Sequence, residues 1–129
     1  MPHCIFEYSA NIKDDPNWLR IMKKVHEKLI STGQFVAGDI KSRVLRHENY
    51  AIGNGERNQS FITLNMQILD GRSDEIKREL TQMALEILIE AFPKSLAEQK
   101  CSITVQVSDI HRASYQRHVS DCHDRTLRI

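Results

Sequence analysis

The sequence predicts a two-layer α/β (α+β) domain, with one four-stranded sheet and two helices packed on one of its faces. Two observations carry that expectation. The order strand–helix–strand occurs twice along the chain, and each helical segment has one apolar stripe that must be buried against another layer. A helix joining two strands of one sheet makes that pair parallel. Residues 2–47 and 60–109 therefore read as two βαβ units of one domain spanning 1–129, followed by a tail over 110–129. The halves share little residue identity, so the duplication rests on pattern.

The elements follow in order. Ile5, Phe6 and Tyr8 mark a short first strand within 2–8. Asp14-Asp15-Pro16 reads as a helix start, with Asp15 as N-cap and Pro16 at the first helical position. Leu19, Met22, His26, Leu29 and Ile30 form its apolar face, and Thr32-Gly33 closes it. A second strand is expected within Phe35–Leu45, carrying Val36, Ile40 and Val44. Residues 46–60 connect the halves, and Asn54-Gly55 favours a tight hairpin turn there. Phe61, Ile62, Leu64, Met66, Ile68 and Leu69 predict a third strand. Gly71-Arg72-Ser73 is a turn leading to a helix with Ser73 as N-cap and Asp74-Glu75 in its first turn. Ile76, Leu80, Met83, Ala84, Ile87, Leu88 and Ala91 trace its buried stripe until Pro93. Ile103, Val105 and Val107 alternate with polar residues in the last strand. Helices on one side leave the other sheet face uncovered, and enough apolar side chains are expected on it for burial in an oligomer.

Composition narrows the function classes. Eighteen Lys+Arg stand against 17 Asp+Glu, a net charge of +1, which disfavours a general nucleic-acid binder. No apolar run is long enough to span a bilayer, and Met1-Pro2-His3-Cys4 does not open a signal peptide. Cys4, Cys101 and Cys122 are odd in number and widely spaced, which suits reduced thiols and a cytoplasmic protein. Cys4 reads as a packed thiol with no base beside it. Gly53-Asn54-Gly55-Glu56 lacks the context of a nucleotide loop and reads as the hairpin turn. His111, His118, Cys122 and His123 match no zinc-site spacing, so neither a metal nor a cofactor is expected.

Pro2 is the residue on which a functional reading turns. If Met1 is removed, Pro2 presents a secondary amine locked in a ring. Ordinary α-amino groups titrate near ~7.7–8.0, and burial or a nearby cation lowers that value toward working pH. Such an amine is a good general base for moving a proton between carbons. Against this, proline follows the initiator methionine in many proteins that use it for nothing.

The surroundings of Pro2 favour the catalytic reading. Met1-Pro2-His3-Cys4-Ile5 with Glu7 and Ser9-Ala10-Asn11-Ile12, then Ile40-Lys41-Ser42-Arg43-Val44, then Gly71-Arg72-Ser73, resemble the tautomerase superfamily. Within it, they are most similar to the 5-carboxymethyl-2-hydroxymuconate delta-isomerase family. Phe61–Ile68 and Ser102–His111 extend the resemblance over nearly the whole chain. It implies a cofactor-free, homotrimeric isomerase of aromatic-compound catabolism, shifting a double bond in a dienol polycarboxylate. Its site residues would be Pro2 as general base, with Arg72 and Lys41 as catalytic cations. Arg43 shares a strand face with Lys41 and becomes a substrate-binding candidate; a surface or intersubunit salt bridge is its ordinary alternative. For Arg72 the ordinary alternative is a turn residue paired with Asp70 or Asp74. Where Lys41 stands the family pattern has arginine, and lysine keeps the charge while losing the planar fork. That leaves open a related hydratase or dehalogenase, or a trimeric binding protein without activity. The tail, with Arg112, Arg117, Arg125 and Arg128, is expected to fold over a neighbouring subunit and pair there.

Overall fold

A computed structural model describes residues 1–121. Cys122, His123, Asp124, Arg125 and Arg128 lie outside them. The chain forms β1 (His3–Ser9), α1 (Trp18–Ser31), β2 (Lys41–His47), β3 (Gln59–Leu69), α2 (Asp74–Ala91), α3 (Pro93–Glu98) and β4 (Lys100–Ile110). The four strands make one sheet in the order β2-β1-β3-β4. β1/β2 and β3/β4 are parallel, as two βαβ crossovers require, and the two units meet antiparallel at β1/β3.

The core lies between the sheet and its helices. Cys4 and Phe6 of β1, with Ile62, Leu64, Met66 and Ile68 of β3, are buried at alternate positions. They meet Ile21, Val25 and Leu29 of α1 and Leu80, Ala84 and Leu88 of α2. Trp18 opens α1 among aromatics, its ring centroid 5.7 Å from Phe6, 5.1 Å from Tyr8 and 5.5 Å from Phe92. The α2 stripe is the expected one, and Ser73 caps it by accepting the Ile76 N–H at 3.2 Å.

Several local expectations are corrected. Asn17, not Asp15, caps α1, accepting the Arg20 N–H at 3.1 Å. The preceding segment serves another helix: Asp14 accepts the backbone N–H groups of Lys94 at 3.0 Å and Ser95 at 2.8 Å, at the start of α3. Pro93 therefore ends α2 but begins a second short helix at its first position, where a missing N–H costs nothing. The buried stripe of α1 runs through Ile21 and Val25, while Leu19 is 64% exposed. Phe35 and Ile40 are buried in a loop with a 3-10 turn at Ala37–Asp39, and the second strand starts only at Lys41. Asn54-Gly55 is not in a hairpin, because β1 lies between β2 and β3. Instead the Gly55 N–H closes a turn on Ile52 O at 2.9 Å, inside the loop that crosses between them.

The sheet face away from the helices is mixed in character, carrying Ile5, Leu45, Phe61, Leu69 and Ile110 among polar side chains. β1 and β3 present His3, Ile5, Glu7, Phe61, Thr63, Asn65 and Gln67 at the positions that alternate with their buried ones. On the neighbouring strands Arg43, Leu45, Ser102, Thr104, Gln106 and Ser108 stand in register with them. Most of these side chains are polar, and several bond one another: Arg43 Nη1 lies 3.1 Å from His3 Nδ1, and His47 Nε2 lies 2.9 Å from Glu7 Oε1. The long apolar run of β3 belongs to the helix-facing side.

Candidate active site

The topology brings four strand ends together at one end of the sheet. β1 and β2 both begin there, because they are parallel, and β3 and β4 both finish there. The antiparallel β1/β3 pairing, with His3 opposite Gln67, aligns the two pairs. Pro2, Lys41, Arg72 and Arg112 thus reach one region from four places in the sequence.

Pro2 is fully buried at the start of β1, and its carbonyl accepts the Lys41 N–H at 3.1 Å. The amine of Met1 donates to Asp39 O at 3.0 Å, and Lys41 Nζ reaches the same oxygen at 3.3 Å. Partial burial, then the charge of Lys41, lowers the pKa of that amine; Asp39 opposes them and Arg117 adds a smaller lowering. The chain start is therefore in a setting that favours the neutral amine.

Arg72 follows Gly71, whose φ of +114° suits glycine and turns the chain sharply out of β3. Its guanidinium does not reach toward the N-terminus of α2, as helix-dipole reasoning suggests. There Ser73 is the cap, and Asp74 and Glu75 follow. Instead Nη2 donates to Gln34 O at 2.9 Å, Nε to Gln34 Oε1 at 3.3 Å and Nη1 to Leu69 O at 3.3 Å. The Phe35 ring lies beneath it at 4.4 Å. Asp70, the expected partner in the ordinary reading, is taken by Arg112, at 3.2 Å from Nε to Oδ1. Among the described residues Arg72 is thus held by uncharged acceptors and has no acidic partner. Burial first, and Arg112 second, disfavour its protonated form.

A cleft of 200 Å³ joins Met1, Phe35, Leu69 and Arg72 with Arg112, Tyr115 and Arg117. Lys41 borders it through its contact with Asp39, which does line it. Arg43 lies elsewhere, paired with Ile5 in register and bonded to His3 on the open face. Within the chain Arg112 pairs with Asp70, and Arg117 with Asp39 at 2.7 Å. Sequence reading had not placed either of them at the site. Parallel β3/β4 pairing was the available signal, since Leu69 and Ile110 are register partners and the residues just beyond them must be neighbours.

Cys4 is fully buried, and that burial pushes its thiol up to about 11, which suits packing and not nucleophilic attack. Among the described residues, no three His, Cys, Asp or Glu side chains gather as a metal site would need. Among them, too, no helix is long and apolar enough to cross a membrane.

Comparison with known proteins assigns the family. The 5-carboxymethyl-2-hydroxymuconate isomerase family model matches residues 2–126. The chain belongs to that family. The isomerase is 25% identical over 111 residues to the 5-carboxymethyl-2-hydroxymuconate Delta-isomerase of Escherichia coli, covering 86% of this chain and 88% of that one. It also resembles the crystal structure of a 5-carboxymethyl-2-hydroxymuconate isomerase from Deinococcus radiodurans R1. The TM-score there is 0.85 at 26% identity, covering 92% of this chain and 90% of that chain. A fused 4-OT wild type symmetric trimer has the same fold, with a TM-score of 0.69 at 11% identity over 96% of both chains. The isomerase therefore carries the tautomerase fold expected from its sequence, and it is an enzyme of the delta-isomerase type.

Proposed function

We propose that this isomerase shifts a double bond in a dienol polycarboxylate such as 5-carboxymethyl-2-hydroxymuconate, in aromatic-compound catabolism, with Pro2 as general base. The observation that carries the reading is the setting of the chain start. Pro2 is buried directly behind Met1, Met1 and Arg72 both line the cleft, and Lys41 borders the same space. Removal of Met1 turns the prolyl nitrogen from an amide into a secondary amine and frees the room that Met1 occupies in the cleft. The influences that lower the Met1 amine, burial and the charge of Lys41, act on a prolyl amine in the same place.

The chemistry then follows from the residues. The neutral amine takes the proton of the enol hydroxyl, electron density moves along the conjugated system, and the same proton is returned to a carbon further along it. Arg72 holds a carboxylate and steadies the dienolate as charge develops, and Lys41 adds a second positive charge. The proton taken from oxygen is the one returned to carbon, so the enzyme is regenerated and no co-reactant is needed. The active form is a homotrimer, supported by the fold shared with the fused symmetric trimer. Arg43, on the open sheet face, contributes to substrate binding only if a neighbouring subunit brings a cleft to it.

The deciding experiment is turnover of 5-carboxymethyl-2-hydroxymuconate by the mature protein, with intact-mass measurement to establish loss of Met1 and with Pro2→Ala as control. Pro2→Ala is expected to lower kcat by about 100-fold or more, the usual worth of a positioned general base. Equal turnover by the two proteins would refute the mechanism. The lysine at 41 favours one other reading, a relative acting on another unsaturated acid. Turnover of 3-haloacrylates with none of the muconate would select it.

A further inference from the structure

We propose that Arg112 is a second carboxylate-binding residue of the cleft, aimed by Asp70, and that it selects substrates bearing a carboxylate beyond the one held by Arg72. The proposal rests on the isomerase reading above and names a specificity residue that the sequence pattern does not single out.

The hydrogen bonds of Arg112 set it apart from an ordinary surface ion pair. Its Nε donates to Asp70 O at 2.9 Å and lies 3.2 Å from Asp70 Oδ1, and its backbone N–H reaches Asp70 Oδ2 at 3.4 Å. Main chain and inner edge of the guanidinium are thereby tied to one residue. Nη1 and Nη2 have no hydrogen-bond partner among the described residues, and Arg112 lines the cleft. An arginine held by Nε with its terminal fork open is prepared for two-point binding of a planar carboxylate.

The Arg112 guanidinium passes close beside Gly71, where a Cβ would stand 3.9 Å from Nη2, and so lies next to Arg72. Two guanidinium groups are thus brought near one another while only one of them has a carboxylate partner. Arg72 is held by carbonyl oxygens alone. Such an arrangement is self-repulsive in the empty protein, and an anion with separated carboxylates relieves it. Arg117 is not equivalent, because its Nη2 is already engaged by Asp39 at 2.7 Å.

The test compares 5-carboxymethyl-2-hydroxymuconate, with three carboxylates, and phenylenolpyruvate, with one. The readout is the ratio of their kcat/KM values. Arg112→Ala is expected to lower that ratio about 10- to 100-fold, the scale of losing a charged hydrogen-bonded contact, through KM for the tricarboxylate and not through kcat. Arg112→Lys should recover part of it. Asp70→Asn, which loosens the aim and leaves the charge, should raise the same KM by a smaller factor. An unchanged ratio in a folded Arg112→Ala protein, with Pro2→Ala inactive, would overturn this proposal and leave the isomerase reading standing. Wild-type protein inactive on both substrates would overturn both.

Discussion

Replacing Arg72 by alanine should damage catalysis far more than it damages the fold, and the structure allows both sides to be sized. Within the chain the guanidinium makes one hydrogen bond of good length, to Gln34 O at 2.9 Å, and two long ones at 3.3 Å. It also covers the Phe35 ring at 4.4 Å. A net hydrogen bond contributes about 1 kcal/mol, and a partly exposed cation–π contact about 0.5–1 kcal/mol. Allowing little for the two long bonds, Arg72→Ala should cost about 2 kcal/mol of stability, which a folded protein commonly survives. Loss of a donor that meets charge developing in the transition state costs more, about 100- to 1,000-fold in rate. Arg72→Lys should fall between, because lysine keeps the charge without the fork. Steady-state kinetics on 5-carboxymethyl-2-hydroxymuconate and urea unfolding on the same preparations measure both quantities. A folded Arg72→Ala protein with kcat/KM within about threefold of wild type would refute the assignment, whatever its stability.

Two further predictions concern stability and assembly. Burial lowers the His26 pKa below its ordinary 6.5, and Nε2 lies 2.6 Å from Ser42 Oγ. The unfolded chain therefore takes up that proton first: the contribution to stability is present above pH 6.5 and is lost as pH falls toward the lower folded value. Urea midpoints between pH 7.5 and 5 should fall more steeply for wild type than for His26→Gln, and parallel slopes would contradict this. The homotrimer is tested separately, by sedimentation at micromolar concentration, where a stable monomer would count against it.

The layers of the fold were legible because each rests on a periodic pattern. Ile62, Leu64, Met66 and Ile68 alternate along β3, and Leu80, Ala84 and Leu88 recur along α2, so each element announces its buried side. Where two signals competed, the pattern misled. Leu19 and Ile30 are apolar yet lie off the stripe through Ile21, Val25 and Leu29, which only the sheet's position could select. Asp14 and Asp15 both resemble caps, but Asp14 serves the helix beginning at Pro93, a partner about 80 residues away that local reading does not reach.

The site was half legible, and the divide follows how its residues are brought together. Pro2 and Arg72 stand in short motifs, a chain start and a Gly-Arg-Ser turn, that can be recognised without knowing the sheet order. Arg112 stands in no motif. Its place beside Arg72 depends on Leu69 and Ile110 being register partners in a parallel pair, and on Gly71 bending the chain at a φ of +114°. The same logic applies to the charge balance that disfavoured a general nucleic-acid binder. A net charge of +1 describes the whole chain, whereas the cleft receives Arg72, Arg112 and Arg117 against Asp39 as its lining acid. Arg117 is paired with that acid, and Arg112 is fixed by Asp70 through its inner edge. Among the described residues the charge left without an acidic partner is that of Arg72, which is why the proposed carboxylate contact is assigned to it.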